Sequence, residues 1–148
     1  MKKFAVVTDS TAYLTEEQFK EFGIKRASLN IIAGDKTYRE LEMVNADVYK
    51  LFEEGHKLTT SQPSPGEFLE NYEELITKGY EKIFVILISK NLSGTFQSAN
   101  LAKNMISEPS KVYIFDTMLA AYGTEMITEQ VIKMVDDNKE CWNMLNKY

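Results

Sequence analysis

The residues of this chain best suited to chemistry lie in two hydroxyl-rich segments, Leu58-Thr59-Thr60-Ser61-Gln62-Pro63-Ser64-Pro65 and Ser89-Lys90-Asn91-Leu92-Ser93-Gly94-Thr95. Each is expected to be a loop that feeds straight into a helix. The second also leaves the most apolar strand in the sequence, Ile83 to Ile88. In an open α/β sheet ligands sit beyond the carboxyl ends of the strands, where a helix presents unpaired N–H groups and the positive end of its dipole. Neutral hydroxyls at two such ends suit an anionic head group. Gly94 would let a ligand come close to a backbone N–H, and Ser93 adds a hydroxyl donor. The plainer alternative is that Ser93 only caps its helix. Thr60 and Ser61 share that alternative more strongly, because Ser64 already serves as a cap, yet three consecutive hydroxyls before it exceed what capping requires.

Other chemistries find less support. A serine nucleophile needs a base and an orienting group, and the Leu-Ser-Gly-Thr sequence at Ser93 contains no nucleophile elbow. His56, the single histidine, follows the helix-ending Gly55 and reads as a solvated surface residue. Asp9 and Asp116, each at a strand end, could pair for metal or phosphoryl chemistry, but Asp before Ser or Thr is a common turn former and the turn reading is favoured. No Walker loop or dinucleotide fingerprint is present. One Cys, Cys141, with one His falls short of a zinc set, so no metal and no cofactor is expected. Met105, Met118, Met126 and Met134 read as core packing at helical spacing, with the alternative that some line a pliable apolar slot.

The elements that must position these residues alternate between strand and helix. Phe4 to Val7 is a short buried strand ending in the polar turn Thr8-Asp9-Ser10-Thr11. A helix over Glu16 to Phe22 is marked by the Thr15/Gln18 capping box, the Leu14/Phe19 staple and Gly23 as stop. Arg26 to Ile32 reads as one strand, followed by a turn at Ala33-Gly34-Asp35-Lys36 into Thr37-Tyr38-Arg39, together a small hairpin at the sheet edge. Asn45 can cap a helix through Tyr49, Leu51 and Phe52. Ser64 and Glu67 form a second capping box ahead of a helix to about Lys78, with the stripe Phe68, Tyr72, Leu75, Ile76.

Lys82 to Ile88 is a continuous apolar run, the mark of a central parallel strand covered on both faces. A helix from Thr95 to Met105, a strand from Val112 to Phe115 and a helix through Leu119, Gly123, Met126, Ile127, Val131, Met134 and Val135 follow. The order indicates an α/β fold with an open, mainly parallel sheet flanked by helices. We divide the chain into an α/β domain over 1–137 and, over 138–148, the start of a helix leading to a second domain, because Trp142, Leu145 and Tyr148 recur at helical spacing and the chain stops inside that truncated helix.

At 148 residues one domain can bury roughly 70% of its unfolded surface. A net charge of −5 and a pI near 5.0 argue against nucleic acid, whose phosphates need a concentrated basic stripe. The apolar run after Met1-Lys2-Lys3 ends after four residues, too short for a signal peptide, and none approaches the ~18 residues of a membrane span. A cytoplasmic protein without a transmembrane segment is the expectation.

Three stretches also carry a family resemblance: Val-Thr-Asp-Ser-Thr-Ala at 7–12, Thr-Thr-Ser-Gln-Pro-Ser-Pro-Gly-Glu-Phe at 59–68 and Leu-Ser-Gly-Thr-Phe-Gln-Ser-Ala at 92–99. In order and over the whole chain, these are similar to the DegV family of bacterial fatty-acid-binding proteins. The resemblance implies a non-catalytic carrier that holds a long-chain fatty acid between two domains, and in some bacteria presents it to a fatty acid kinase. It implies carboxylate contacts from Thr60 or Ser61 and from Ser93 and Gly94, with Asp9, Ser10, Thr11 and Asp116 placed in support. In Asp116-Thr117-Met118-Leu119-Ala120-Ala121-Tyr122-Gly123-Thr124-Glu125, Leu119 and Ala121 lack the family's usual hydroxyls and Glu125 replaces a usual glycine. The chain is also about half the family's length, which leads us to expect a partial site and self-association through exposed apolar surface. The rival class is a phosphotransferase or hydrolase using Asp9, Asp116 and Ser93 on a small anionic substrate.

Overall fold

The computed structural model describes residues 4–136. Strand β1 (Phe4–Asp9), helix α1 (Glu16–Phe22) and strand β2 (Lys25–Ala27) open the chain. Strands β3 (Asn30–Ala33) and β4 (Lys36–Arg39), helix α2 (Asn45–Glu53), strand β5 (Leu58–Ser61) and helix α3 (Pro65–Thr77) follow. Strand β6 (Lys82–Leu87), helix α4 (Thr95–Met105), strand β7 (Val112–Asp116) and helix α5 (Tyr122–Asp136) complete it. β2, β1, β6 and β7 form a parallel sheet in that order, in keeping with the expected open, mainly parallel α/β sheet. The segment 138–148, with Cys141, Trp142, Leu145 and Tyr148, lies outside the described residues.

The apolar run of β6 is explained by its two-sided burial. Ile83, Val85 and Leu87 join a core with Phe68, Tyr72 and Leu75 of α3 and Ala99 and Ala102 of α4. Phe84 and Ile86 face the opposite core, with Phe19 of α1 and Val131 and Ile132 of α5. Small residues on α4 let it lie close to α3, where Tyr72 Oη donates to the Ala99 carbonyl at 3.3 Å. The α1 signals are all realised: Thr15 Oγ1 accepts from Gln18 N, Gln18 Oε1 from Thr15 N, and Gly23 takes a left-handed φ of 63°.

A second sheet is the main departure from the sequence reading. β3 pairs antiparallel with β4 on one side and β5 on the other, so Arg26 to Ile32 is not one strand. Lys25–Ala27 belongs to the parallel sheet; at Ser28 and Leu29 the chain changes sheets, and side chains take over the backbone pairing. Ser28 N donates to Glu67 Oε1 at 3.0 Å and Leu29 N to Ser10 Oγ at 2.9 Å. Glu67 thereby leaves the capping box expected of it: Ser64 Oγ still accepts from Glu67 N, but the Glu67 carboxylate holds Ser28 and Arg39 instead.

Smaller corrections have the same origin in tertiary contacts. The cap of α2 falls at Val44, with Asp47 accepting from Val44 N at 3.1 Å, and only Leu51 of its apolar residues is buried while Tyr49 and Phe52 are exposed. Of the four methionines assigned to the core only Met134 is buried; Met105, Met118 and Met126 lie on outward faces that no element covers. α5 begins at Tyr122, not before Leu119, because Met118 and Ala121 hold left-handed backbone (φ 56° and 50°).

Candidate functional site at the carboxyl edge of the parallel sheet

The chain leaves β1 for β2 on one side and reaches β6 on the other, so the carboxyl ends of β1 and β6 flank the sheet's switch point, where open α/β sheets bind ligands. Asp9 joins the two ends. Its Oδ2 accepts from Ile88 N at 2.7 Å, and its Oδ1 accepts from Thr11 N at 2.9 Å and from Thr11 Oγ1. The side chain is fully buried, and burial pushes its carboxyl above the ordinary range against hydrogen bonds that favour the ionised form. Ser10 is likewise committed: its Oγ accepts from Leu29 N and donates to Glu40, tying the small sheet to this edge. Asp9, Ser10 and Thr11 thus hold the backbone of the edge, and the turn reading of Asp9 is the one realised.

Ser93 and Gly94 stand beyond β6 at the start of α4. The capping alternative for Ser93 meets a different geometry, since Gly94 occupies the cap position and, without a side chain, caps nothing. Ser93 Oγ accepts only from Thr95 N, at 3.3 Å, and shares a 2.8 Å hydrogen bond with Thr95 Oγ1. The N–H groups of Phe96 and Gln97 therefore lack the side-chain acceptor that a serine or aspartate cap gives a helix. Ser89 anchors the loop through its carbonyl, which accepts from Leu92 N and Ser93 N.

Thr60 and Ser61 lie on β5, not in a loop at a helix start. They face opposite sides of the small sheet, because side chains alternate along a strand. Ser61 Oγ accepts from Asn30 Nδ2 at 3.3 Å, across the register that pairs Asn30 with Ser61. Thr60 is exposed, and its hydroxyl bonds to no described residue. Gln62, the residue after β5, reaches the cap of α4: a Cβ placed on Gly94 would lie 3.0 Å from the Gln62 amide carbon and nitrogen. The two hydroxyl segments therefore meet at Gln62 and Gly94. Gly94 has φ −75°, open to any residue, so its small size answers to Gln62 and not to backbone conformation. Gln62 is not among the site residues expected from the sequence; its place directly after Thr60 and Ser61 in the same segment is the one signal it offers.

Asp116 completes the edge. Its Oδ1 accepts from Met118 N at 2.9 Å and Lys90 N at 3.2 Å, while its buried Oδ2 accepts no hydrogen bond and lies 3.8 Å from Lys90 Nζ, a charge contact too long to be one. Thr117 Oγ1 donates to the Leu87 carbonyl, and Ser89 N donates to that of Leu119. An open groove of about 640 Å³ runs past Lys90, Ser93, Gly94, Phe96 and Gln97. Asp9 and Asp116 lie on strands separated by β6, and both oxygens of Asp9 and Oδ1 of Asp116 are occupied by backbone N–H groups, so the two carboxylates are not placed as a free pair. His56 is exposed in the turn after α2, with its Nε2 3.7 Å from Glu54. Among the described residues no group of three or more His, Cys, Asp or Glu is placed to hold a metal ion, and no helix is long and apolar enough to cross a membrane.

A DegV domain-containing protein of Halalkalibacterium halodurans is 36% identical over 142 residues, covering 95% of this chain and 50% of the relative. One from Listeria monocytogenes is 35% identical over 148 residues, covering 99% and 52%. Among solved structures, a DegV family protein from Thermus thermophilus, described for its fatty acid binding, superposes with a TM-score of 0.88 at 28% identity, covering 98% of this chain and 51% of that one. DegV of Bacillus subtilis, a fatty acid binding protein, gives 0.82 at 30% identity, with 93% and 49% covered. The chain spans about half the length of the curated relatives it matches. The family model for DegV, described as an uncharacterised protein family, matches residues 3–147, and the chain belongs to the DegV family.

Proposed function

We propose that this edge binds a long-chain fatty acid by its carboxylate, without catalysing a reaction. The observation that carries the reading is the contact of Gln62, the residue after β5, with Gly94 at the cap of α4, which brings the segment bearing the unpartnered Thr60 hydroxyl to the loop of Ser93 and the uncapped N–H groups of α4. A carboxylate is the anion that such neutral donors and a helix dipole hold well. Between Thr60 and Ser61 on β5, Thr60 is assigned the contact, because Ser61 is engaged by Asn30 and faces the other way. Gly94 contributes through the backbone beside it, and Asp9, Ser10, Thr11 and Asp116 fix the loops. Fatty acid binding by the Thermus and Bacillus relatives supports the same ligand class here.

The described residues form one wall of the lipid site. About fourteen enclosed methylenes are worth on the order of 11 kcal/mol, and a wall that covers half of them forgoes about 5 to 6 kcal/mol, roughly four orders of magnitude in affinity. Leu92, Met118, Leu119, Tyr122 and Met126 are exposed on the β6–α4 loop and the α5 entry, a surface suited to self-association. We place the carrier in a reducing cytoplasm, in keeping with its single cysteine, where it would present the lipid carboxylate to a separate kinase for phosphorylation.

Ser93→Ala tests the reading. Losing one donor to a carboxylate should weaken fatty acid binding about 10- to 150-fold while leaving the melting temperature unchanged. Native mass spectrometry of the gently purified chain should show some bound fatty acid, and the same spectra report the oligomeric state. Unchanged affinity with lowered stability would reduce Ser93 to a structural role.

A further inference from the structure

We infer that Gln62 is a further head-group residue, whose side-chain amide, held beside Gly94, donates to the bound carboxylate. This deepens the carboxylate reading above and rests on it. Gln62 is exposed, its side chain hydrogen-bonds to no described residue, and yet it is packed against Gly94, the cap residue of α4. A long polar side chain held against backbone without a partner is unusual, because free glutamine gains rotamer entropy and hydration by extending into water. Gly94 is what admits it: any side chain there would push the amide away from the start of α4.

The chemistry of the amide fits the vacancy in the donor set. The carboxamide offers two N–H donors without charge, and a carboxylate has more lone pairs than Thr60 and Ser93 can satisfy. Thr60 and Gln62 lie two residues apart in the first hydroxyl segment, which contributes a pair of donors while the entry to α4 contributes Ser93 and the helix its N–H groups. Neutral donors set around an anion also discriminate against a neutral alcohol of the same length, since an alcohol accepts fewer hydrogen bonds and gains less from the helix dipole. Gln62 is thereby a residue that selects acid over alcohol.

The test uses the whole 148-residue chain, isotope-labelled, titrated with octanoate and separately with octan-1-ol, and reads the backbone amides of Ser93 and Gly94 and the Gln62 side-chain NH2 resonances. We expect all three to shift together with octanoate and little with the alcohol. Gln62→Ala should weaken octanoate about 10-fold or more. Gln62→Glu, isosteric and at an exposed position, should weaken it further through like-charge repulsion while leaving the alcohol response unchanged. If Ser93 and Gly94 shift but the Gln62 side chain does not, and Gln62→Glu binds as the parent does, the Gln62 assignment is overturned and the carboxylate reading stands. If octanoate moves neither Ser93 nor Gly94, both fall.

Discussion

Replacing Asp9 by Asn isolates one oxygen of the carboxylate that joins β1 to β6. The wild-type Oδ2 accepts from Ile88 N at 2.7 Å and Oδ1 from Thr11 N at 2.9 Å, in a fully buried position. Asparagine keeps one acceptor, and the Thr11 contacts hold it in place, so its NH2 must point at the Ile88 N–H, donor against donor. A buried N–H left without an acceptor costs about 1–3 kcal/mol, and the opposed donors add to it. Removing a buried charge whose desolvation already raises its pKa returns part of that. The net expectation is a loss of about 2 kcal/mol for Asp9→Asn and about 3 to 5 kcal/mol for Asp9→Ala, which strands the Thr11 donors as well. Urea unfolding followed by circular dichroism gives the stabilities, and hydrogen exchange at Ile88 reports the bond itself. A loss in Asp9→Asn below about 0.5 kcal/mol, with unchanged protection at Ile88, would refute the view that this carboxylate fastens the binding edge.

Glu74 is held at a pKa of about 2, below its ordinary 4.5, first by its hydrogen bonds to Lys25 and Lys78. A depressed carboxylate contributes stability above pH 4.5 that is lost as pH falls toward 2. Because Glu74 is 41% exposed the contribution is under ~1 kcal/mol; the difference in urea midpoint between wild type and Glu74→Gln should therefore vanish by about pH 2, and a gap that persists there would assign it to packing. Gly123→Ala places a Cβ 2.8 Å from Leu119 Cβ, which no rotamer change relieves. It should cost about 1–3 kcal/mol by thermal unfolding, and a neutral result would mean that the Met118–Ala121 turn yields freely.

What the sequence determined by itself was local or periodic. The α1 boundaries followed from Thr15, Gln18, Leu14, Phe19 and Gly23, whose roles involve partners within a few residues. The centrality of β6 followed from an apolar run that only two-sided burial explains. Ser93 and Gly94 were legible because a strand end leading into a helix start is visible in sequence order. Only the tertiary structure decided the rest. Thr60 and Ser61 look like loop residues until β3, some 30 positions away, pairs with β5 and turns them to opposite faces. Glu67 reads as half of a capping box until Ser28 and Arg39, brought by the other sheet, compete for its carboxylate. Gln62 offers only its place beside the Thr60-Ser61 pair as a local signal, since its meaning lies in Gly94, 32 residues later, and in the space that a missing side chain leaves for it. Pairing between distant segments is decided by the total burial of both sheets, and no window of sequence contains that quantity.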